Sequence, residues 1–189
     1  AIDDIAGQWR IHLNRIRLAQ MSGQDQFTKQ DSETLLALSK QIDSIEVKYL
    51  TQITLGQLSG DSGYYRRASQ YAQTTLERAV ALVYLNRETE ARNLLNLEDS
   101  DLPGDRAFVL YRYAVKSRSA EEAERALELY RLVGDSRGMA DTLLLLAQLA
   151  HSQSRDTAAG RYAQRGVSIL KSIGDEQRAG AIQAWMGSW

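Results

Sequence analysis

The chain contains no cysteine, which excludes a disulfide framework, a thiolate metal site and a cysteine nucleophile. Only one proline, Pro103, stands in 189 residues, so helices can run long without interruption. No run of 18 or more apolar residues occurs, and direct membrane insertion is not expected. Lysine and arginine total 23 against 24 acidic residues, and a net charge of −1 supplies no field to draw nucleic acid. A nucleic-acid partner is therefore not expected. The first residues, Ala1-Ile2-Asp3-Asp4, lack an initiator methionine and the basic and apolar regions of a signal peptide. A processed protein or an excised domain is expected, soluble and cytoplasmic or periplasmic, or the soluble part of a membrane protein.

Catalytic and metal motifs are also sparse. Neither G-x-x-x-x-G-K-[ST] nor G-x-G-x-x-G is present, so no phosphate-cradling loop is expected. Gly60-Asp61-Ser62-Gly63 matches the tetrapeptide around a chymotrypsin-like nucleophile, but that chemistry needs β-barrels and a histidine base. It reads as a turn. Asp99-Ser100-Asp101-Leu102-Pro103-Gly104 begins like a calcium loop, yet position five is Pro103 and position twelve is Leu110 where a bidentate Glu is required. His12 and His151 have no second ligand at zinc spacing. No metal, no cofactor and no catalytic residue is expected.

What the chain does have is helical periodicity. At 43% hydrophobic and 25% charged it is a globular composition, with length for four or five helical hairpins of ~35–40 residues. Ile5, Trp9, Leu13 and Ile16 form one apolar stripe. Leu35, Leu38, Ile42, Ile45 and Tyr49 alternate by three and four, like a coiled-coil seam, and predict one helix from Ser32 to about Leu58. Further helices are expected over about 64–85, 88–97, 105–117, 119–133, 138–152, 156–173 and 176–189. Ser119 with Glu122 has the form of a capping box. No segment alternates with period two, so no sheet is expected.

The clearest internal signal is an echo: Leu129-Tyr130-Arg131-Leu132-Val133-Gly134-Asp135 returns 40 residues later as Ile169-Leu170-Lys171-Ser172-Ile173-Gly174-Asp175. In each copy a glycine can close one helix in the left-handed conformation and an aspartate can cap the next. A period of this length is the mark of a helical repeat array.

At Leu146, Ala147 and Ala150, then Ala159, Tyr162, Ala163 and Gly166, the chain resembles a tetratricopeptide repeat, in its longer-period form as in kinesin light chains and the helical arrays of bacterial regulators. The resemblance spans about residues 104–189. Gly160 and Gly166 interrupt the second helix and the consensus proline after it is missing, and residues 1–97 match only in being helical hairpins. The resemblance implies an all-α fold of antiparallel helix pairs stacked as a right-handed superhelix of about eight to nine helices. Its expected parts are 1–97, long-helix hairpins that are either degenerate repeats or a separate bundle, and 104–189, the repeats proper, with one continuous array as the leading expectation.

It also implies a binding groove. With Ala147 as the small packing residue, the groove-facing positions would be Asp141, Leu144, Gln148 and His151, continued by Tyr111 and Arg112 on the preceding first helix. The plainer reading makes Leu144 core and the polar residues merely solvated. Asp141 and Gln148 do not match the Lys, Asn and Arg with which chaperone-binding members clamp a C-terminal carboxylate. Trp185 and Trp189 would form an exposed apolar end, available to a partner or to self-association. The leading expectation is a non-enzymatic scaffold or adaptor that binds a protein or peptide in its groove. The alternative is a regulatory or sensory domain of a larger signalling or transcription-regulating protein, with a small molecule between its helices. A structural assembly subunit is a third.

Overall fold

The computed structural model describes residues 4–22, 29–95 and 102–188. Trp189, the polar loop around Gly23 and the acidic Asp99-Ser100-Asp101 lie outside the described residues. The chain divides into two compact units, Ala1–Arg87 and Glu88–Trp189. The first holds α1 (Ile5–Ser22), α2 (Lys29–Lys40), α3 (Ile45–Ser59), α4 (Ser62–Tyr71) and α5 (Thr75–Tyr84). The second holds α6 (Glu88–Leu94), α7 (Pro103–Ser117), α8 (Ala120–Val133), α9 (Ser136–Ser152), α10 (Asp156–Ser172) and α11 (Glu176–Met186). The described residues are helical throughout, with no strand among them.

Among the described residues eleven helices replace the expected eight to nine, because two long helical patterns are each cut by a side-chain cap. Ser44 takes an extended backbone and its hydroxyl accepts from the Val47 amide at 3.3 Å, which starts α3 where the pattern predicts an unbroken helix. Thr74 makes a full capping box with Glu77: the hydroxyl accepts from the Glu77 amide at 3.1 Å, and the Glu77 carboxylate accepts from the Thr74 amide at 3.1 Å. The expected helix over 64–85 is thereby divided into α4 and α5. Of the predicted seam, Leu38 and Ile42 pack on the core formed by Trp9, Leu13, Ile16, Leu35 and Leu55, but after the break Val47 and Leu50 reach that core and Ile45 is 49% exposed. The spacing therefore runs across a break at which the buried face changes register.

Polar links fix the first unit internally. The Trp9 indole N–H donates to Thr51 at 2.9 Å, tying α1 to α3 within the core. Tyr65 lies stacked on Tyr84 with ring centroids 4.7 Å apart, and it fills the space that a Cβ on Gly56 would need.

In the second unit each helix packs against the next, from α6 through α11. One core joins Ala114, Ala123, Leu127, Leu143, Leu145, Leu146 and Leu149, with Tyr111, Tyr162 and Ile169 packed against it. Another joins Ala140, Val167, Leu170 and Ala179, with Leu144 and Ile182 at its margin. The 40-residue register is kept in burial: Ala123 and Ala163, Ala126 and Gly166, Leu127 and Val167, Tyr130 and Leu170 are all buried.

The Gly-Asp echo is a turn with defined hydrogen bonds. Gly134 and Gly174 have φ of 71° and 79°, and the amides of Asp135 and Asp175 donate back to Tyr130 and Leu170 carbonyls at 3.0 and 2.9 Å. The same closure occurs at Arg118 and at Ser154, where φ is 57° in both. Ser119 there donates to Ala114 at 3.3 Å and Arg155 to Ala150 at 2.9 Å. Positions 134, 154 and 174 follow at equal intervals, so the long period consists of two like halves, one helix and one left-handed turn each. Ser119 caps α8 by accepting from the Glu122 amide, but the Glu122 carboxylate completes no box. It reaches instead to Arg92 of α6 at 2.6 Å.

Candidate functional site

Asp141, Leu144, Gln148 and His151 follow at helical intervals of three and four and therefore share one side of α9. At a rise of 1.5 Å per residue the row spans about 15 Å. Near its start, Arg178 from the first turn of α11 donates through Nη2 to the Asp141 carboxylate. Arg178 is held in turn by Asp175, whose carboxylate accepts from the Arg178 amide at 3.2 Å and lies 3.7 Å from Nη1. At the far end, His151 places its ring edge-to-face on Trp185, centroids 6.0 Å apart, and its Nδ1 lies 2.8 Å from Asp156. Asp141, in the first half of α9, thus meets the start of α11 and His151, near the end of α9, meets the end of α11, so these two helices run in the same direction.

Tyr111 joins the site from α7. It is half-buried against the leucine core, and burial, followed by the nearby charge of Asp141, raises its phenol above the usual tyrosine range, with Arg112 and Arg178 partly offsetting both. Arg178 is itself raised, first by its hydrogen bond to Asp141. The Arg178–Asp141 pair is only half-buried, and such a pair contributes about 0.2–1 kcal/mol, so its main consequence is to fix the guanidinium beside the phenol.

The predicted groove residues therefore fall into distinct settings. Asp141 is paired with Arg178, and Tyr111 lies close enough to feel both charges. Arg112 turns to the neighbouring α6, 3.6 Å from Glu88, a buried carboxylate that also accepts from Lys116 at 3.0 Å. Burial alone would push the Glu88 carboxyl up, but the Lys116 hydrogen bond and the charges of Lys116 and Arg112 outweigh it and hold the group below its ordinary value. Leu144 packs beside Val167 and Leu170, over Gly166, at the margin of an apolar core. Gln148 is exposed midway along the row. Trp185 is half-buried on His151.

Sequence reasoning missed Arg178 and Asp175 as parts of this site. Asp175 was visible as a cap, and it does cap α11. Arg178 occupies the place that Gly138 holds one repeat earlier, so a large cation at a position that is otherwise glycine was the available signal.

The arrangement offers donors from Arg178 and Gln148, an imidazole and an indole edge, all along one strip of helix surface. Among the described residues no group of three or more His, Cys, Asp or Glu side chains is placed to hold a metal ion, and no helix is long and apolar enough to cross a membrane. No protein-family model matches the chain, and no curated protein does.

Proposed function

We propose that the second unit is a protein-interaction module without catalysis, built from stacked helix pairs of tetratricopeptide type, and that a peptide lies along the α9 row between Tyr111 and Trp185. The observation that supports this most is the exposed Gln148 set between two built ends, Arg178–Asp141–Tyr111 and His151–Trp185. A 15 Å strip matches about five residues of extended peptide at ~3.3 Å each. Side-chain donors and acceptors spaced along it suit the alternating carbonyls and amides of such a backbone, while the Trp185 edge suits an apolar side chain. Right-handed superhelical stacking of the pairs belongs to the same proposal. Its support is the 40-residue register together with the parallel course of α9 and α11.

A peptide array probed with the purified chain tests this reading. Bound peptides should lose binding to Gln148→Ala, an exposed position that leaves the cores intact, and to Trp185→Ala. An array that yields no peptide sensitive to either change overturns the assignment.

A further inference from the structure

The α9 row has a neighbour on α7. Ala140, Leu143 and Ala147 of α9 are buried, and so are Ala107, Leu110 and Ala114 of α7, which stand 33 residues earlier in the same order. The two helices touch, and α8 packs on both and joins both through tight left-handed turns at Arg118 and Gly134. They therefore lie side by side and run the same way. In this register Asp141, Leu144, Gln148 and His151 correspond to Phe108, Tyr111, Val115 and Arg118. The α7 row flanks the α9 row, and Tyr111 lies close enough to feel the charge of Asp141.

The two rows differ in chemistry. The exposed middle position is an amide on α9, Gln148, but on α7 it is Val115, left 45% exposed one turn beyond the half-buried Tyr111. A lone exposed valine is ordinary on a protein surface, but this one extends the apolar line of Phe108 and Tyr111. From Tyr111 to Val115 the helix rises about 6.0 Å, and two residues of extended chain advance about 6.6 Å. Alternate side chains of such a chain lie on one side. A peptide stretched along α9 can thus set two side chains, two residues apart, over Tyr111 and Val115 in turn. The row ends on Arg118, exposed at its turn, and the nearest acids in the sequence, Glu121 and Glu122, are held by Arg125 and Arg92. Among the described residues that leaves the Arg118 charge open to a partner.

We infer, resting on the reading that a peptide lies along α9, that this peptide carries apolar side chains at two alternate positions, over Tyr111 and Val115, and an acidic one two residues beyond the second, at Arg118. Gln148 meets backbone groups, which every peptide has, so α9 holds the chain and α7 selects its sequence. The intervening side chains turn towards α11 and Trp185.

Short end-blocked peptides, which carry no terminal charge, are arrayed and probed with the purified chain and with Gln148→Ala, Val115→Ser and Arg118→Asp. Aspartate tolerates left-handed backbone, so the last change keeps the turn. Peptides lost in Gln148→Ala should share the pattern of two alternate apolar residues followed by an acid. In fluorescence anisotropy, serine at the second apolar position of such a peptide should weaken binding about tenfold. Against Val115→Ser the same peptide change should cost less than about threefold, because the surface it covered is gone. Arg118→Asp should exchange the preference for an acid at the third position for a preference for lysine, with helical content unchanged in circular dichroism. Peptides that bind through Gln148 but lack either the coupling to Val115 or the exchange at Arg118 overturn the inference and leave the peptide site on α9 standing. An array with no peptide sensitive to Gln148→Ala or Trp185→Ala removes that site and this inference with it.

Discussion

Gly138→Ala and Gly160→Ala are one substitution in two helix interiors of the same unit, and they should move stability in opposite directions. A Cβ on Gly138 would stand 2.5 Å from both Cδ1 and Cε1 of the buried Tyr130 ring, a distance that no side chain keeps. The ring or the helix must shift, and forced overpacking costs about 1–3 kcal/mol. Alanine recovers about 0.5–1 kcal/mol of backbone entropy against glycine in a helix. The net is a loss of about 0.5–2 kcal/mol at Gly138. Around Gly160 a Cβ meets nothing within 4 Å, so only the entropic gain remains and the variant should be more stable by about 0.5–1 kcal/mol. Urea denaturation followed by circular dichroism reads both as displacements of the midpoint at constant slope. The next repeat sharpens the test, because Leu170 and Arg178 stand where Tyr130 and Gly138 do: a smaller partner accompanies a larger residue. Tyr130→Leu should therefore rescue part of the Gly138→Ala loss in a double-mutant cycle. Midpoints that move the same way, or a cycle with no coupling, would refute the steric argument.

Three further outcomes follow from local geometry. Ser154→Gly should stabilise the chain by about 0.5–1 kcal/mol, since the left-handed residue costs about 1–2 kcal/mol and glycine's extra chain entropy returns part of it. Ser154→Ala, which keeps the Cβ, should give no such gain in the same urea assay. Thr74→Ala removes the hydroxyl half of the capping box and should cost about 1 kcal/mol, with helix content lost at the start of α5 in hydrogen exchange. Glu88 has a folded pKa below its unfolded one, so its contribution is complete above the ordinary carboxylate range and is lost as pH falls through the lower folded value. Melting temperature measured from pH 7 down to pH 3 should decline less steeply in Glu88→Gln than in the parent chain.

The helical class and the ends of α7 to α10 were legible because local causes coincide with burial there. The Gly-Asp turns combine a left-handed position and a cap that are each written in one residue. The breaks before α3 and α5 were not read, although Ser44 and the Thr74–Glu77 pair are themselves cap signals, because the apolar spacing runs on across them. Arg118 and Ser154 close their helices in the same left-handed way as Gly134, yet neither residue type favours that conformation, so the chain's shorter period was hidden behind the longer one. Their closing hydrogen bonds, from Ser119 to Ala114 and from Arg155 to Ala150, are made by backbone groups and leave no mark in residue type.

The candidate site divides along the same line. The α9 row was legible from helical intervals alone, since Asp141, Leu144, Gln148 and His151 must share a side whatever surrounds them. Its partners were not, because Arg178 and Trp185 come from a helix begun 35 residues after Asp141 and are placed by how α11 lies beside α9. In a repeat chain the positions that keep their size and burial, such as Ala123 and Ala163, account for the stacking. Function is then sought where equivalent positions diverge. Gly138 becomes Arg178 at one end of the row. The change adds a cation beside Asp141 while the residue beneath it goes from Tyr130 to Leu170, so charge and packing are altered together. Truncating that cation, as Arg178→Ala, should therefore weaken peptide binding along the α9 row, while loss of the half-exposed ion pair lowers the unfolding free energy in urea by about 0.2–1 kcal/mol.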